Sequence, residues 1–114
     1  MIDITNSTGI KIDKSFLKTL AKNVLKRENR IVDISIVLVG EEKIRELNKK
    51  YRGKDEATDV LSFGDNLNEI VICPAVAKKE LEKVLIHGIL HLLGYEHGDL
   101  MESRQEYYLE LFKY

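Results

Sequence analysis

The chain has no tryptophan, one cysteine, one proline and 7% aromatic residues in a length of 114. A lone thiol, Cys73, excludes an intrachain disulfide, so the core itself must hold the fold together. No apolar run approaches the roughly 20 residues that span a bilayer. The first residues also lack the basic and apolar regions of a signal peptide, so the expectation is a cytoplasmic protein with no membrane partner. A net charge of -1 gives no global pull toward nucleic acid, and any polyanion partner has to be argued from local charge. Aromatic residues for base stacking are scarce, with Phe63 and Tyr95 the nearest to the chemistry described below, so strong base specificity is not expected.

What is present is the balance of an ordinary globule, 44% hydrophobic and 32% charged. That is enough chain for one core, and a single domain over residues 1–114 is expected. Ile2 and Ile4 alternate with polar residues in a short first strand. Asp13 is placed to cap a helix running to about Glu28, with Phe16, Leu17, Leu20, Ala21, Val24 and Leu25 in one stripe. Residues 30–39 are rich in β-branched side chains on both parities, the pattern of a strand covered by helices.

Residues 41–50 read as a helix, with Ile44, Leu47 and Tyr51 on its buried side. The polar stretch 52–59 reads as a loop. Strands over 60–63 and 69–73 form a hairpin across a turn at 64–68. Pro74 opens a helix expected to run unbroken to Leu93, and Asp99 with Glu102 resembles a capping box for a last helix to the C-terminus. The fold class is α+β with α/β character: a small mixed sheet of about four strands packed against helices.

All three histidines fall within eleven residues of one another, at His87, His91 and His97. On a helix His87 and His91 lie one above the other on the same face, the spacing of a two-point metal clamp. Gly94 can take the left-handed conformation that ends a helix and sends the chain back, which brings His97 toward the pair. Three imidazoles suit zinc or a similar borderline divalent ion, with one zinc per chain the expectation, and leave a fourth position for water or substrate. The spacing is that of the long metalloprotease signature, except that Gly88 stands where the proteases carry a glutamate base. Glycine inside a helix costs roughly 1 kcal/mol against alanine, so a close approach by a strand, a metal or a substrate is expected there.

The stretch His87-Gly88-x-Leu90-His91-Leu92-x-Gly94-Tyr95-x-His97 resembles the signature of the YbeY-type bacterial endoribonucleases, the rRNA maturation factors. A second block, Leu47-Asn48-x-x-Tyr51-Arg52 followed by Thr58-Asp59-Val60-Leu61-Ser62-Phe63, is similar to theirs as well. The resemblance spans nearly the whole chain. It implies a metal-dependent hydrolase acting on single-stranded RNA in rRNA maturation, including 16S rRNA 3′-end processing, and in ribosome quality control. It implies His87, His91 and His97 as zinc ligands and Arg52 as the arginine near the metal. Small-subunit rRNA, ribosomal proteins and a GTPase are the implied partners, with no role on DNA. Three departures stand out. Glu96 replaces the usual aspartate, Asn68-Glu69 replaces a Gly-Asp pair, and the segment before the histidine helix is shorter by several turns.

The chemistry expected of such a site is zinc-assisted hydrolysis of a phosphodiester, because three imidazoles around zinc bring the pKa of a bound water to about 7. Arg52 can bind two phosphate oxygens at once and offset charge in the transition state, which a lysine does less well. Lys49, Lys50 and Lys54 belong to a positive run that would attract the backbone. Glu96 is the nearest acidic residue, placed either to move protons or to orient His91 or His97. Cys73 is the rival fourth ligand of a closed site, although an inert buried thiol fits its place better. The competing functions are a metallopeptidase, a non-catalytic ribosome-assembly factor stapled by zinc, and a metal-free pair of acid and base histidines.

Overall fold

The structure, a computed structural model, describes residues 1–64 and 66–112. Strands β1 (Ile2–Asn6), β2 (Ile34–Leu38), β3 (Val60–Phe63) and β4 (Glu69–Ile72) form one sheet. The helices are α1 (Lys14–Arg27), α2 (Glu41–Arg52), α3 (Pro74–Ala77), α4 (Leu81–Leu92) and α5 (Asp99–Leu111). The strands are ordered β1-β2-β4-β3, with β1, β2 and β4 parallel and β3 antiparallel at one edge. This is the mixed sheet with packed helices that the hydrophobic patterning implies.

The two faces are covered differently. Ile34, Ile36, Leu38, Ile70 and Ile72 bury against α1 and α4, with Met101 and Tyr108 of α5 closing the same cluster. On the other face Val39, Ile44, Leu61, Val71 and Cys73 form a second cluster, to which α2 contributes Ile44 and Leu47. Apolar residues on both parities of β2 are thus explained by cover on both sides.

Five sequence expectations need correction. Tyr51 is 51% exposed and rests edge-on against Phe63 rather than on the buried side of α2. The helix expected to run from Pro74 to Leu93 is broken: α3 ends at Ala77, the next residue Lys78 has φ +52°, and a 3₁₀ turn over Lys78–Glu80 leads into α4. Lys78, Lys79 and Glu80 are all exposed, so that turn has nothing to bury and the chain redirects there. The strand expected over 30–39 is confined to Ile34–Leu38, since Arg30 still bonds back to the end of α1 and Ile31 points fully into solvent. Arg52 is the last residue of α2 rather than the first of a loop. Finally, α5 is preceded by Gly98, Asp99 already lies within the helix, and no side chain caps it, so the capping box does not form. Asp13, by contrast, caps α1 as expected, accepting from the Phe16 amide at 3.0 Å. Part of the expected turn at 64–68, Asp65, and the last two residues of the chain lie outside the described residues.

The placement of α4 follows from Gly88. A Cβ there would lie 3.0 Å from Ile70 Cγ2, 3.2 Å from Ser62 Oγ and 3.3 Å from Val60 Cγ2. The missing side chain is therefore room for the hairpin, and Ser62 Oγ donates to the Gly88 carbonyl at 3.0 Å across that contact. The close approach anticipated for Gly88 is that of a strand.

Candidate metal centre

His87 and His91 project from one face of α4, their ring centroids 4.6 Å apart. The helix then ends in a tight turn: the Gly94 amide bonds to the His91 carbonyl and the Tyr95 amide to the Leu90 carbonyl, each at 3.0 Å. This pair of bonds requires a left-handed residue, which Gly94 supplies with φ +102°. The reversal brings His97 to 4.4 Å from His91 and 5.3 Å from His87, centroid to centroid. One nitrogen from each ring falls within 4.8 Å of the other two, close enough for a single ion to be held by all three.

The neighbours of these rings decide which nitrogens remain free. His91 Nδ1 lies 3.1 Å from the Tyr95 carbonyl, and His87 Nδ1 lies 2.9 Å from Gln105 Oε1. Both partners are oxygen acceptors, so Nδ1 carries the hydrogen in each ring and Nε2 presents its lone pair. Fixing the tautomer through the far nitrogen is how metal-binding histidines are oriented, so the donor set fits a divalent ion on the chain's own geometry. Burial pushes His91 below its usual value of 6.5, and the neighbouring His87 and His97 add to the shift. It is thereby held in the neutral form that binds metal.

This has a measurable consequence. A histidine with a depressed folded-state pKa binds fewer protons folded than unfolded once the pH falls below its ordinary value, so its contribution opposes folding at low pH. Chelator-treated protein is expected to lose stability as the pH drops from about 7.5 to about 5.5. Urea unfolding at the two values checks this; a chain equally stable or more stable at the lower pH contradicts it.

Arg52 faces the histidines across a cleft of about 580 Å³ lined also by Asn48, Lys54, Thr58, Asp59 and Ser62. Its Nη2 donates to the Ser62 carbonyl at 2.9 Å, and its guanidinium sits 5.1 Å from the centroid of the Phe63 ring. The side chain is therefore held against the cleft wall although exposed. A second cleft of about 570 Å³ shares Asp59, Val60, His87 and His97 with the first and adds Glu80, Lys83, Glu102 and Gln105. The histidines stand where the two meet.

Other residues singled out from sequence are placed elsewhere. Of the lysines, Lys54 lines the cleft, whereas Lys49 lies 4.0 Å from Asp55 and Lys50 lies over the Tyr51 ring. Glu96 is exposed, and the orienting role considered for it toward His91 is filled by the Tyr95 carbonyl. Tyr95 lines neither cleft: its ring packs at the edge of the larger core cluster and its hydroxyl donates to Glu28 at 2.8 Å. Cys73 is fully buried in the second apolar cluster, apart from the histidine group.

The family model described as endoribonuclease YbeY matches residues 2–113. The chain belongs to that family. The protein named endoribonuclease YbeY from Thermotoga maritima is 37% identical over 86% of this chain and 75% of its own. Its namesake from Neisseria meningitidis is 36% identical, covering 89% of this chain and 75% of its own. The Rubrobacter xylanophilus protein of the same name is 45% identical over 67% of this chain, and the match spans 61% of that relative's length. The solution structure of TM1509 from Thermotoga maritima superposes with a TM-score of 0.71 at 34% identity, covering 96% of this chain and 87% of that one.

In this YbeY-family chain the residue that sequence reasoning missed is Gln105. It is buried on α5 between Met101 and Tyr108, at helical spacing on one face. A lone amide inside an otherwise apolar stripe is the signal that could have found it, since a buried polar side chain needs a partner. No helix among the described residues is long and apolar enough to cross a membrane.

Proposed function

We propose that this chain is a metal-dependent endoribonuclease domain that cuts single-stranded RNA in the cytoplasm and acts in rRNA maturation and ribosome quality control. Small-subunit rRNA, including the 16S 3′ end, is its substrate, and one zinc ion per chain is its cofactor. The observation that carries this reading is the convergence of three imidazoles and a restrained arginine on one open cleft. Family membership and the names of the relatives support it.

His87, His91 and His97 would hold the ion, His87 and His91 through Nε2. When bound, zinc supplies Lewis acidity and a water acidic enough to react near neutral pH. The chain's own residues do the rest. Arg52 binds non-bridging phosphate oxygens, its fork preset by the Ser62 carbonyl and the Phe63 face. Lys54 adds a second positive charge along the same wall, so binding should weaken with salt. The cleft presents few aromatic faces, consistent with a substrate recognised by its backbone more than by its bases.

The test is cleavage of an end-labelled single-stranded RNA oligonucleotide by purified protein, with elemental analysis of the same sample. About one zinc per chain is expected. Cleavage should be lost on chelation, restored by zinc, and absent in His97→Ala. Cleavage that resists chelation would instead make the histidines an acid-base pair, and bound zinc without cleavage of any RNA would make the metal a structural staple.

A further inference from the structure

Glu28 follows the last turn of α1, far in sequence from every residue of the cleft, yet its side chain is only 9% exposed. One carboxylate oxygen accepts from Tyr95 at 2.8 Å, the other accepts from Tyr108, and Arg104 Nε approaches the latter to 3.9 Å. A carboxylate taken this far out of water is costly unless its lone pairs are met. Here two phenols and a guanidinium meet them. Burial first, and the carboxylate second, hold the Tyr108 phenol above its ordinary value, so it remains a donor.

Each phenol leads to a different histidine. Tyr95 is the residue that the Gly94 turn delivers, and its own carbonyl receives the His91 Nδ1 hydrogen. Tyr108 stands three residues from Gln105 on the buried face of α5, and Gln105 receives the His87 Nδ1 hydrogen. Fixing the Tyr95 side chain fixes the carbonyl that orients one ligand. Fixing Tyr108 sets the rotation of α5 and hence the amide that orients the other.

Resting on the metal reading above, we infer that Glu28 is a positioning residue for the metal centre, holding His91 through Tyr95 and His87 through Tyr108 and Gln105. It touches no ligand itself. A merely structural carboxylate would affect folding and leave the affinity of the folded protein for metal alone, which separates the two roles.

The experiment measures Co(II) affinity by chelator competition and the Co(II) absorption spectrum for the wild-type chain, Glu28→Ala, Tyr95→Phe and Asp13→Ala. Asp13 caps the opposite end of α1 and so controls for loss of helix stability without touching the clamp. Glu28→Ala is expected to weaken cobalt binding by roughly 10- to 100-fold and Tyr95→Phe by about tenfold, the range for partners that orient metal ligands. Both spectra should change, and Asp13→Ala should match wild type in affinity and spectrum. Should Glu28→Ala not fold, Tyr95→Phe, which loses one hydroxyl, carries the test. Wild-type affinity and spectrum in both clamp variants would overturn the inference while leaving the metal site standing. Failure of the wild-type chain to bind cobalt would overturn the metal reading and this inference with it.

Discussion

Replacing Arg52 with alanine is expected to lower kcat/KM for single-stranded RNA by about 10²- to 10³-fold, the loss typical of removing one preorganised donor to developing charge. Metal content and melting temperature should stay near wild type. Arg52 is exposed and at a helix end, so its removal leaves no cavity. Its bond to the Ser62 carbonyl restrains the guanidinium and contributes little to holding β3, which is paired along its length to β4. Arg52→Lys should recover only a small part of the loss, because an ammonium cannot fork onto two oxygens and would not reproduce the guanidinium's place over the Phe63 ring. RNA cleavage kinetics with parallel metal analysis settle the point. Full activity in Arg52→Ala would remove the phosphate role assigned to it.

The largest structural effect is expected at Gly88. Gly88→Glu, which would complete the metalloprotease signature on paper, should prevent stable folding rather than create a peptidase. The side chain would start within 3.0 Å of Ile70 Cγ2, beneath a hairpin packed on the helix, and would carry a carboxylate into the apolar interface. That combines overpacking with an unpaired buried charge, several kcal/mol against a marginally stable domain. Gly88→Ala is the finer test. Alanine gains about 1 kcal/mol in helix propensity and loses about 1–3 kcal/mol to overpacking. Ile70 is fully buried and cannot swing away, so a net destabilisation, read as a fall in melting temperature, is expected. An alanine variant as stable as wild type would mean that α4 can move off the hairpin at no cost.

The same position counts against the protease reading. A Cβ at residue 88 would press on Val60, Ser62 and Ile70 of β3 and β4, so a side chain large enough to serve as a base has no room there unless the hairpin moves. The sequence signals an anomaly at Gly88, a helix breaker amid apolar residues; only the packing shows that the space belongs to a strand.

What could be read from the chain alone was whatever short-range periodicity encodes. The stripe of α1, the hairpin and the cap at Asp13 are local patterns. So are the four-residue spacing of His87 and His91 and the turn at Gly94, and all of them appear in the structure. The missed features depend on what lies across space. The break at Lys78 follows from where α3 and α4 each find something to bury, and the confinement of β2 follows from which strands pair with it.

The positive run offers the same lesson, since neighbours in sequence point to different places around the end of α2: Lys54, past the Gly53 turn, reaches the cleft, and Lys49 and Lys50 on the helix find Asp55 and Tyr51. The sequence by itself determined the three imidazoles, their turn and the arginine block, because ligand spacing on one helix and its reversal is set by backbone geometry over about ten residues. Which nitrogen His87 and His91 turn toward the site was decided by tertiary structure. The partners that fix it, Gln105 for His87 and, for His91, the Tyr95 carbonyl steadied by Glu28, include residues 18 and 67 positions away from the groups they hold, and contact at that range is set by how helices pack.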